Sequence, residues 1–201
     1  MPSRFPFVGV LIGSVFLAAP ALVNGQDRGF VVGNLGFTFA ERTDSSFGFT
    51  AGVGITPSIQ IIGTYSHMND TLTGNFAQFL RTLSGVAGLN IEGKLPAEYG
   101  AGGIRFVVQN RETVQVYFQA EGGVGKVSPE LRFFDGMTDV TDEVSDFNAE
   151  ETAGALALGA GVRVLLGPVV TGEVGFKWLN IMTDIEPLKV NRLDFGLGVR
   201  F

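Results

Sequence analysis

The chain has 201 residues, contains no cysteine and carries a formal net charge of −6. The absence of cysteine excludes disulfide frameworks and thiol chemistry, and the acidic balance argues against nucleic acid as a partner, because nucleic acid requires a basic face. Glycine occurs 29 times and phenylalanine 18 times, against a single tryptophan. A chain of this length, with no recognisable linker, is expected to form one domain.

The first residues predict an export signal. One positive charge, Arg4, precedes an apolar run over residues 5–19 that contains no charge. This run of ~15 residues is shorter than the roughly 20 that a transmembrane helix needs, which favours a cleaved signal peptide over an anchor helix. We therefore expect residues 1–25 to be a signal peptide and residues 26–201 to be the mature domain.

The rest of the chain alternates apolar residues with polar or small ones in a series of short segments. Strict alternation is typical of strands whose two faces meet different surroundings. Eight such segments are predicted, over residues 28–41, 47–56, 59–67, 97–109, 113–127, 155–167, 169–180 and 193–201. They predict an all-β fold in which sequential strands pair as an antiparallel meander.

The connections between these segments alternate in length. Tight turns are predicted at Pro57, Asn110 and Pro168. Long connections cover residues 68–96, 128–152 and 181–191, and the first of them contains NFAQFLRTLSG, which could form a short amphipathic helix. Short turns at one end and long loops at the other are typical of outer-membrane barrels. A soluble eight-stranded barrel has no reason to sort its loops in this way.

The closing segment, LDFGLGVRF, is apolar at every second position and ends on an aromatic residue. The alternating apolar positions are Leu193, Phe195, Leu197, Val199 and Phe201. This stretch resembles the C-terminal strand signature of bacterial outer-membrane β-barrels. Together with the signal peptide and the eight segments, it is similar to the small OmpA/OmpX-like barrels of Gram-negative bacteria.

The resemblance implies an eight-stranded antiparallel up-and-down transmembrane β-barrel in the outer membrane. It implies contact with membrane lipids and lipopolysaccharide, and it implies that the five alternating residues of the closing strand are read by the barrel-assembly machinery. We expect a monomer that needs no cofactor.

Charged residues on the predicted strands keep to the face opposite the large apolar side chains. They are Arg105, Glu121, Arg163, Glu173, Lys177, Asp194 and Arg200. An Arg or Lys facing lipid at mid-bilayer would cost about 2–4 kcal/mol, so these side chains are expected to line the lumen. An eight-stranded lumen is only just wide enough for its own side chains, and buried charges persist when they are paired. We therefore predict a structural ion-pair network that fills the barrel.

Catalytic and metal-binding alternatives find little support. Some small outer-membrane barrels modify lipid A with Ser and His at the lipid-facing rim, but Ser66 and the only histidine, His67, are adjacent and must face opposite ways. The acidic segment 128–152 lacks the ligand spacing of a calcium loop. Weak bridging of that segment to lipopolysaccharide by divalent cations stays a hypothesis. We expect no catalytic and no metal-binding residues.

The function predicted from the sequence is structural or interactive. Long outer loops on a plugged barrel favour envelope integrity or surface contacts with an unidentified external ligand. Two alternatives remain open at this stage: a narrow channel for small or hydrophobic solutes, and an enzyme that modifies lipid A.

Overall fold

The computed structural model describes residues 29–39, 43–72, 74–87, 90–110, 113–135, 138–139, 150–184 and 187–201. The predicted signal peptide lies outside these residues. The described residues form eleven strands and one helix: β1 (Gly29–Phe39), β2 (Thr43–Thr56), β3 (Ile59–Met68), α1 (Gly74–Ala87), β4 (Asn90–Lys94), β5 (Ala97–Asn110), β6 (Val114–Val127), β7 (Glu130–Asp135), β8 (Thr138–Asp139), β9 (Glu151–Leu165), β10 (Val170–Ile181) and β11 (Leu188–Arg200).

Eight of the strands close into one barrel. Their order around the wall is β1-β11-β10-β9-β6-β5-β3-β2, and each neighbouring pair is antiparallel. The seam between the first and last strands is extended by Phe201, whose backbone N–H donates to the Gly29 carbonyl and whose carbonyl accepts from the Gly29 N–H, at 2.9 and 2.8 Å. The prediction of an eight-stranded antiparallel barrel is confirmed.

The large apolar residues of the wall point outward. Outward-facing side chains include Leu35, Phe37, Phe47, Ile61, Ile104, Phe106, Val108, Phe118, Leu156, Leu158, Val174, Phe176, Phe195, Leu197 and Val199, all substantially exposed. A water-soluble protein rarely exposes so large a continuous apolar surface. Such a belt is instead the lipid-facing surface of a transmembrane barrel. No described helix is long and apolar enough to cross a bilayer.

The two ends of the barrel differ, as the sequence predicted. At one end, which we call the short-turn end, tight turns join β2 to β3 and β9 to β10. At the other, the long-loop end, the long segments 69–96 and 128–150 lie together with the shorter connections from β1 to β2 and from β10 to β11. The expected helix is present as α1, and it buries Ala77 and Leu80.

The long connections also contain a second sheet that the sequence did not predict. Strands β4, β7 and β8 pair antiparallel in that order, so that β4 comes from one connection and its partner β7 from the other. The predicted third long connection, residues 181–191, is wrong in extent, because β10 continues to Ile181 and β11 already begins at Leu188. Alternation and pairing with the neighbouring strand simply continue through these residues.

The side chain of Asp70 holds the base of the first long connection. Its Oδ1 accepts hydrogen bonds from the backbone N–H groups of Leu72 and Leu95, both at 3.0 Å. Thr38 of β1 donates to the Asp70 carbonyl at 3.2 Å, and the Thr71 N–H donates to the Leu95 carbonyl at 2.9 Å. We call α1 and the β4-β7-β8 sheet the cap, and these bonds attach it to the barrel wall.

The interior of the barrel is divided into layers. A large apolar cluster fills the half nearest the cap, where the barrel contributes residues such as Leu179, Ile181 and Val190 and the cap contributes Leu80 and Phe133. A small apolar cluster of Phe30, Val32 and Ile62 lies towards the short-turn end. Charged side chains, which we call the charged layer, lie directly beside this small cluster, because the Arg163 guanidinium is 3.9 Å from the centre of the Phe30 ring. The sequence predicted the charged layer but not the apolar half.

Candidate functional site

The charged layer is built around one carboxylate shared by two arginines. Glu173 of β10 accepts from Arg105 Nη1 of β5 at 3.0 Å and pairs with Arg163 Nη2 of β9 at 2.5 Å, through the same oxygen, Oε1. Its second oxygen accepts from the Tyr117 hydroxyl at 3.3 Å. The two guanidinium groups are 2% exposed and the carboxylate 4%. This group therefore holds two buried positive charges against one negative charge.

Two aromatic rings stabilise the surplus positive charge. The guanidinium carbon of Arg163 lies 3.9 Å from the centre of the Phe30 ring, and that of Arg105 lies 3.9 Å from the Tyr117 ring and 5.0 Å from the Phe30 ring. A cation above an aromatic face gains about 0.5–2 kcal/mol, with the larger values at desolvated sites. Tyr117 fits because Gly175 faces it: a Cβ atom there would lie 2.8 Å from the Tyr117 hydroxyl.

A second group of charges lies beside the first. Lys177 Nζ pairs with Glu121 Oε1 at 2.9 Å and donates to the Tyr99 hydroxyl at 2.7 Å. Gln119 connects the two groups, because its Nε2 donates to Glu121 at 2.5 Å and its Oε1 accepts from Arg105 Nε at 3.0 Å. The network therefore crosses the barrel from β5 through β6 to β9 and β10.

The remaining predicted lumen residues lie on β11 and make different contacts. Asp194 pairs with Arg192 on the same strand, Nη2 to Oδ1, at 2.5 Å. Arg192 also donates to Ser66 Oγ across the lumen. Arg200 lies at the short-turn end, where its Nε donates to the Pro168 carbonyl at 3.0 Å and its Nη2 to the Gly167 carbonyl at 3.3 Å. The structure thus brings five of the seven predicted residues together and places Asp194 and Arg200 elsewhere.

Sequence reasoning missed several residues of the network. Arg192 is buried and has the same parity as Asp194, so the alternation of the closing strand could have revealed it had the segment been extended by one residue. Tyr99, Tyr117 and Gln119 are uncharged, and only their inward parity marks them. Their polar atoms form hydrogen bonds with Lys177, Glu173 and Arg105, whose charges would otherwise be more costly to bury.

The outer wall carries a polar pair at the long-loop end. His67 Nδ1 lies 3.0 Å from Glu98 Oε1 of the neighbouring strand, and the His67 ring lies 5.0 Å from the Phe47 ring. Ser66 points into the lumen and accepts from Arg192. Ser66 and His67 therefore do not form the nucleophile–base contact that a hydrolase needs. Glu98 was not expected from the sequence as a partner of His67.

A cleft of about 700 Å³ opens in the cap between α1 and β4. Its apolar surface comes from Leu72, Ala77, Leu80 and Ile91. Its polar rim consists of Arg81, Ser84, Asn90, Glu92, Lys94, Glu130 and Arg132. This volume falls within the range of small ligand sites. Residues 136–137 and 140–149 of the acidic segment for which cation bridging was considered lie outside the described residues.

Comparison with solved structures identifies the architecture. Neisserial surface protein A superposes with a TM-score of 0.55 at 13% identity, covering 88% of this chain and 98% of that chain. The N-terminal β-barrel domain of Pseudomonas aeruginosa OprF gives 0.55 at 10% identity, covering 89% and 100%. Ail, the attachment invasion locus protein of Yersinia pestis, solved with the heparin analogue sucrose octasulfate, gives 0.51 at 16% identity, covering 86% and 97%.

This is the fold of the small outer-membrane β-barrels. The match spans nearly the whole of each compared barrel, and the lipid-facing belt of this chain agrees with it. No protein-family model matches the chain, and no curated protein matches its sequence. The resemblance to small outer-membrane barrels that the sequence suggested is thus confirmed at the level of the fold.

Proposed function

We propose that this outer-membrane barrel is closed to solutes and acts through its cap, as a structural and surface-interacting component of the cell envelope. The observation that carries this proposal is the filling of the lumen. A large apolar cluster fills the half nearest the cap, and the buried charged layer packs against a small apolar cluster in the rest of the lumen. An ion entering the lumen would have to displace paired charges and lose its water within an apolar region, and both steps are unfavourable.

Conductance across a planar lipid bilayer tests the closed lumen. The purified barrel is expected to give no steps above the background of the empty membrane. A variant in which Glu173, Arg105 and Arg163 are all replaced by alanine serves as the comparison, because it removes one of the two groups of charged side chains from the lumen. Stable wild-type conductance would contradict the proposal and restore the narrow-channel alternative.

The cap supplies the interacting part of the proposed function. It lies at the long-loop end and presents charged side chains around the cleft. Among proteins of this fold, Ail is named for attachment and invasion and was solved with a heparin analogue. For this chain we propose contact with an external ligand. Replacing the segment 74–94 by a short Gly/Ser linker should abolish that contact while the barrel still assembles.

Export and insertion follow the same proposal. Residues 1–25 direct export, the alternating side chains of Leu193, Phe195, Leu197, Val199 and Phe201 are read by the assembly machinery, and the mature barrel lies in the outer membrane as a monomer among lipids and lipopolysaccharide. The outward apolar belt supports a lipid environment. Cell fractionation tests the location. A folded barrel should also migrate differently in boiled and unboiled samples, and recovery in the soluble periplasm with equal migration would contradict the assignment.

We propose no catalytic role. Ser66 and His67 face opposite sides of the wall, and His67 is paired with a carboxylate rather than a hydroxyl. Mass spectra of lipid A from cells with and without the protein should therefore be identical. A missing or added acyl chain would support the lipid A-modifying alternative instead.

A further inference from the structure

We propose that the cleft in the cap binds an extended peptide segment of a partner protein, which adds as a further strand to the edge of β4 that no described strand occupies. This inference rests on the proposed interacting role of the cap and specifies its ligand. The occupant has apolar side chains at alternate positions and charged side chains of both signs between them.

The lining of the cleft includes the strand's edge. All five consecutive residues of β4, from Asn90 to Lys94, line it. Successive residues of a strand point to opposite faces, so a cleft over one face would be lined by alternate residues only. Because residues of both faces contribute, the cleft reaches around the edge of the strand. Within the described residues, β4 pairs with β7 on one edge only. The cleft is also lined by Glu130 and Arg132 of β7, so it extends from this strand pair to α1.

Another segment of the chain already forms hydrogen bonds with this edge at Leu95, the residue that follows β4. Immediately after β4, the Leu95 carbonyl accepts from the Thr71 N–H at 2.9 Å and from the Thr71 hydroxyl at 2.6 Å, while the Leu95 N–H donates to Asp70 Oδ1 at 3.0 Å. The backbone groups beside Lys94 are therefore satisfied by residues 70–71. An added peptide would continue this pairing along Asn90–Lys94.

The opposite wall of the cleft is one face of α1. Ala77, Leu80, Arg81 and Ser84 have the spacing of a single helical face, and all four line the cleft. Leu80 packs against the apolar side of β4, because a Cβ atom at Gly93 would lie 2.6 Å from its Cδ1. A groove between an edge strand and a helix gives an incoming backbone hydrogen-bonding partners on one side and apolar contacts on the other, which is the arrangement that strand addition requires.

The charges on the rim specify the peptide further. Along β4, Glu92 and Lys94 lie on the outer face with opposite signs, and Ile91 and Gly93 lie on the face toward Leu80. A peptide paired with this strand would place its own outer residues beside Glu92 and Lys94. A complementary peptide therefore has a basic residue beside Glu92 and, two positions away, an acidic residue beside Lys94. Its inner residues would meet Ile91 and Leu80, which favours apolar side chains there. A free anionic sugar would match Arg81, Lys94 and Arg132, but it would be repelled by Glu92 and Glu130 and would leave the backbone edge unused.

The test uses random nine-residue peptides displayed on phage and selected against the folded barrel in lipid nanodiscs. We expect enriched sequences with apolar residues at alternate positions and charges of both signs between them. Each enriched peptide is then synthesised in two forms, one unmodified and one with two alternate backbone amides N-methylated. Methylation removes backbone donors but keeps every side chain, so it should weaken binding by at least about tenfold if the peptide adds as a strand.

Two variants of α1 localise the binding. Ser84→Trp fills the cleft and should abolish peptide binding. Gln78→Trp places the same side chain on an exposed position of the helix outside the cleft and should leave binding within about twofold, in keeping with the small effects of surface changes. Equal heat-dependent migration of both variants shows that each has folded.

Several results would overturn the inference. The first is that no peptide is enriched above the level found with the Ser84→Trp barrel. The second is that N-methylation leaves peptide binding unchanged. The third is that no peptide binds, whereas sucrose octasulfate or dodecyl phosphate binds in a way that depends on the cleft. Failure here would leave the closed barrel intact, because conductance does not depend on Ser84. An external ligand that binds the Ser84→Trp barrel but not the barrel in which segment 74–94 is replaced would support an interacting cap and refute the cleft as the binding site.

Discussion

Replacing the shared carboxylate is the most direct test of the charged layer. In Glu173→Gln the side chain keeps its shape, but Arg105 and Arg163 lose the only carboxylate with which they are paired within the described residues. Removing one partner of a buried ion pair costs about 3–5 kcal/mol, because a charge is left uncompensated away from water. Here two guanidinium groups are affected, and each is 2% exposed.

Some of this cost is offset by groups that remain. The rings of Phe30 and Tyr117 still face the guanidinium groups, with a stabilisation of about 0.5–2 kcal/mol each. The glutamine oxygen can also accept a hydrogen bond. We therefore expect Glu173→Gln to lower the free energy of unfolding by about 3 kcal/mol, at the lower end of the range for a broken buried pair. A further change, Arg163→Met, removes one of the two stranded charges and should recover more than about 1 kcal/mol of this loss.

The measurement is urea unfolding in lipid vesicles, followed by the fluorescence of Trp178. This single tryptophan lies on β10 at a lipid-facing position, so its emission reports the loss of the lipid environment. Glu92→Gln, an exposed carboxylate in the cap, is the matched control and should change stability by less than about 0.5 kcal/mol. A Glu173→Gln barrel as stable as that control, or a double variant less stable than the single one, would refute the reasoning.

Three further predictions concern the wall and its ends. Gly175→Ala should destabilise the barrel by about 1–3 kcal/mol, because the added methyl group crowds the Tyr117 hydroxyl. Adding Tyr117→Phe should recover most of that loss in the same urea assay. If the destabilisations of the two substitutions simply add in the double variant, crowding is not the cause. Phe201→Ala keeps the backbone seam and should fold normally into vesicles, yet it should lower the assembled barrel in cells, whereas equal yields would argue against an assembly signal. The hydrogen bond from Lys126 lowers the pKa of Glu150, so this pair supports the start of β9 above the ordinary carboxyl pKa and is lost as the pH falls through the lowered value. Proteolysis near Glu150 should then increase at low pH in the wild type but stay independent of pH in Glu150→Gln.

The wall could be predicted from the sequence because a membrane barrel imposes one rule on every strand. Leu35, Phe106 and Leu197 lie on different strands, yet each is apolar for the same reason, namely contact with lipid. The inward position of Arg105 and Glu173 follows from the same rule read on the other face. The face on which a strand residue lies depends only on its position along that strand. It can therefore be predicted without knowing which residues it contacts.

The partners themselves could not be predicted. The sharing of Glu173 between Arg105 and Arg163 depends on side chains that meet across the lumen, at sequence separations no local pattern records. The cap sheet pairs β4 with β7 from another connection, so neither segment indicates the other. The apolar half of the lumen nearest the cap could not be predicted for a further reason. Polar side chains mark the inward face only in part of the barrel, because the cap removes water from Leu179 and Ile181 and inward residues there need no charge.

The burial of the charged layer determines how it responds to dissolved electrolyte. Mobile ions weaken an exposed ion pair by gathering around it, over a screening length of about 8 Å at physiological ionic strength. Counterions cannot gather around the carboxylate of Glu173 in this way, because its side chain is only 4% exposed and those of its two arginine partners are 2% exposed. The Lys126–Glu150 pair, which is open to solvent, has no such protection. A rise in the salt concentration outside the cell would thus weaken the Lys126–Glu150 ion pair at the rim, while the ion pairs inside the barrel would keep their strength.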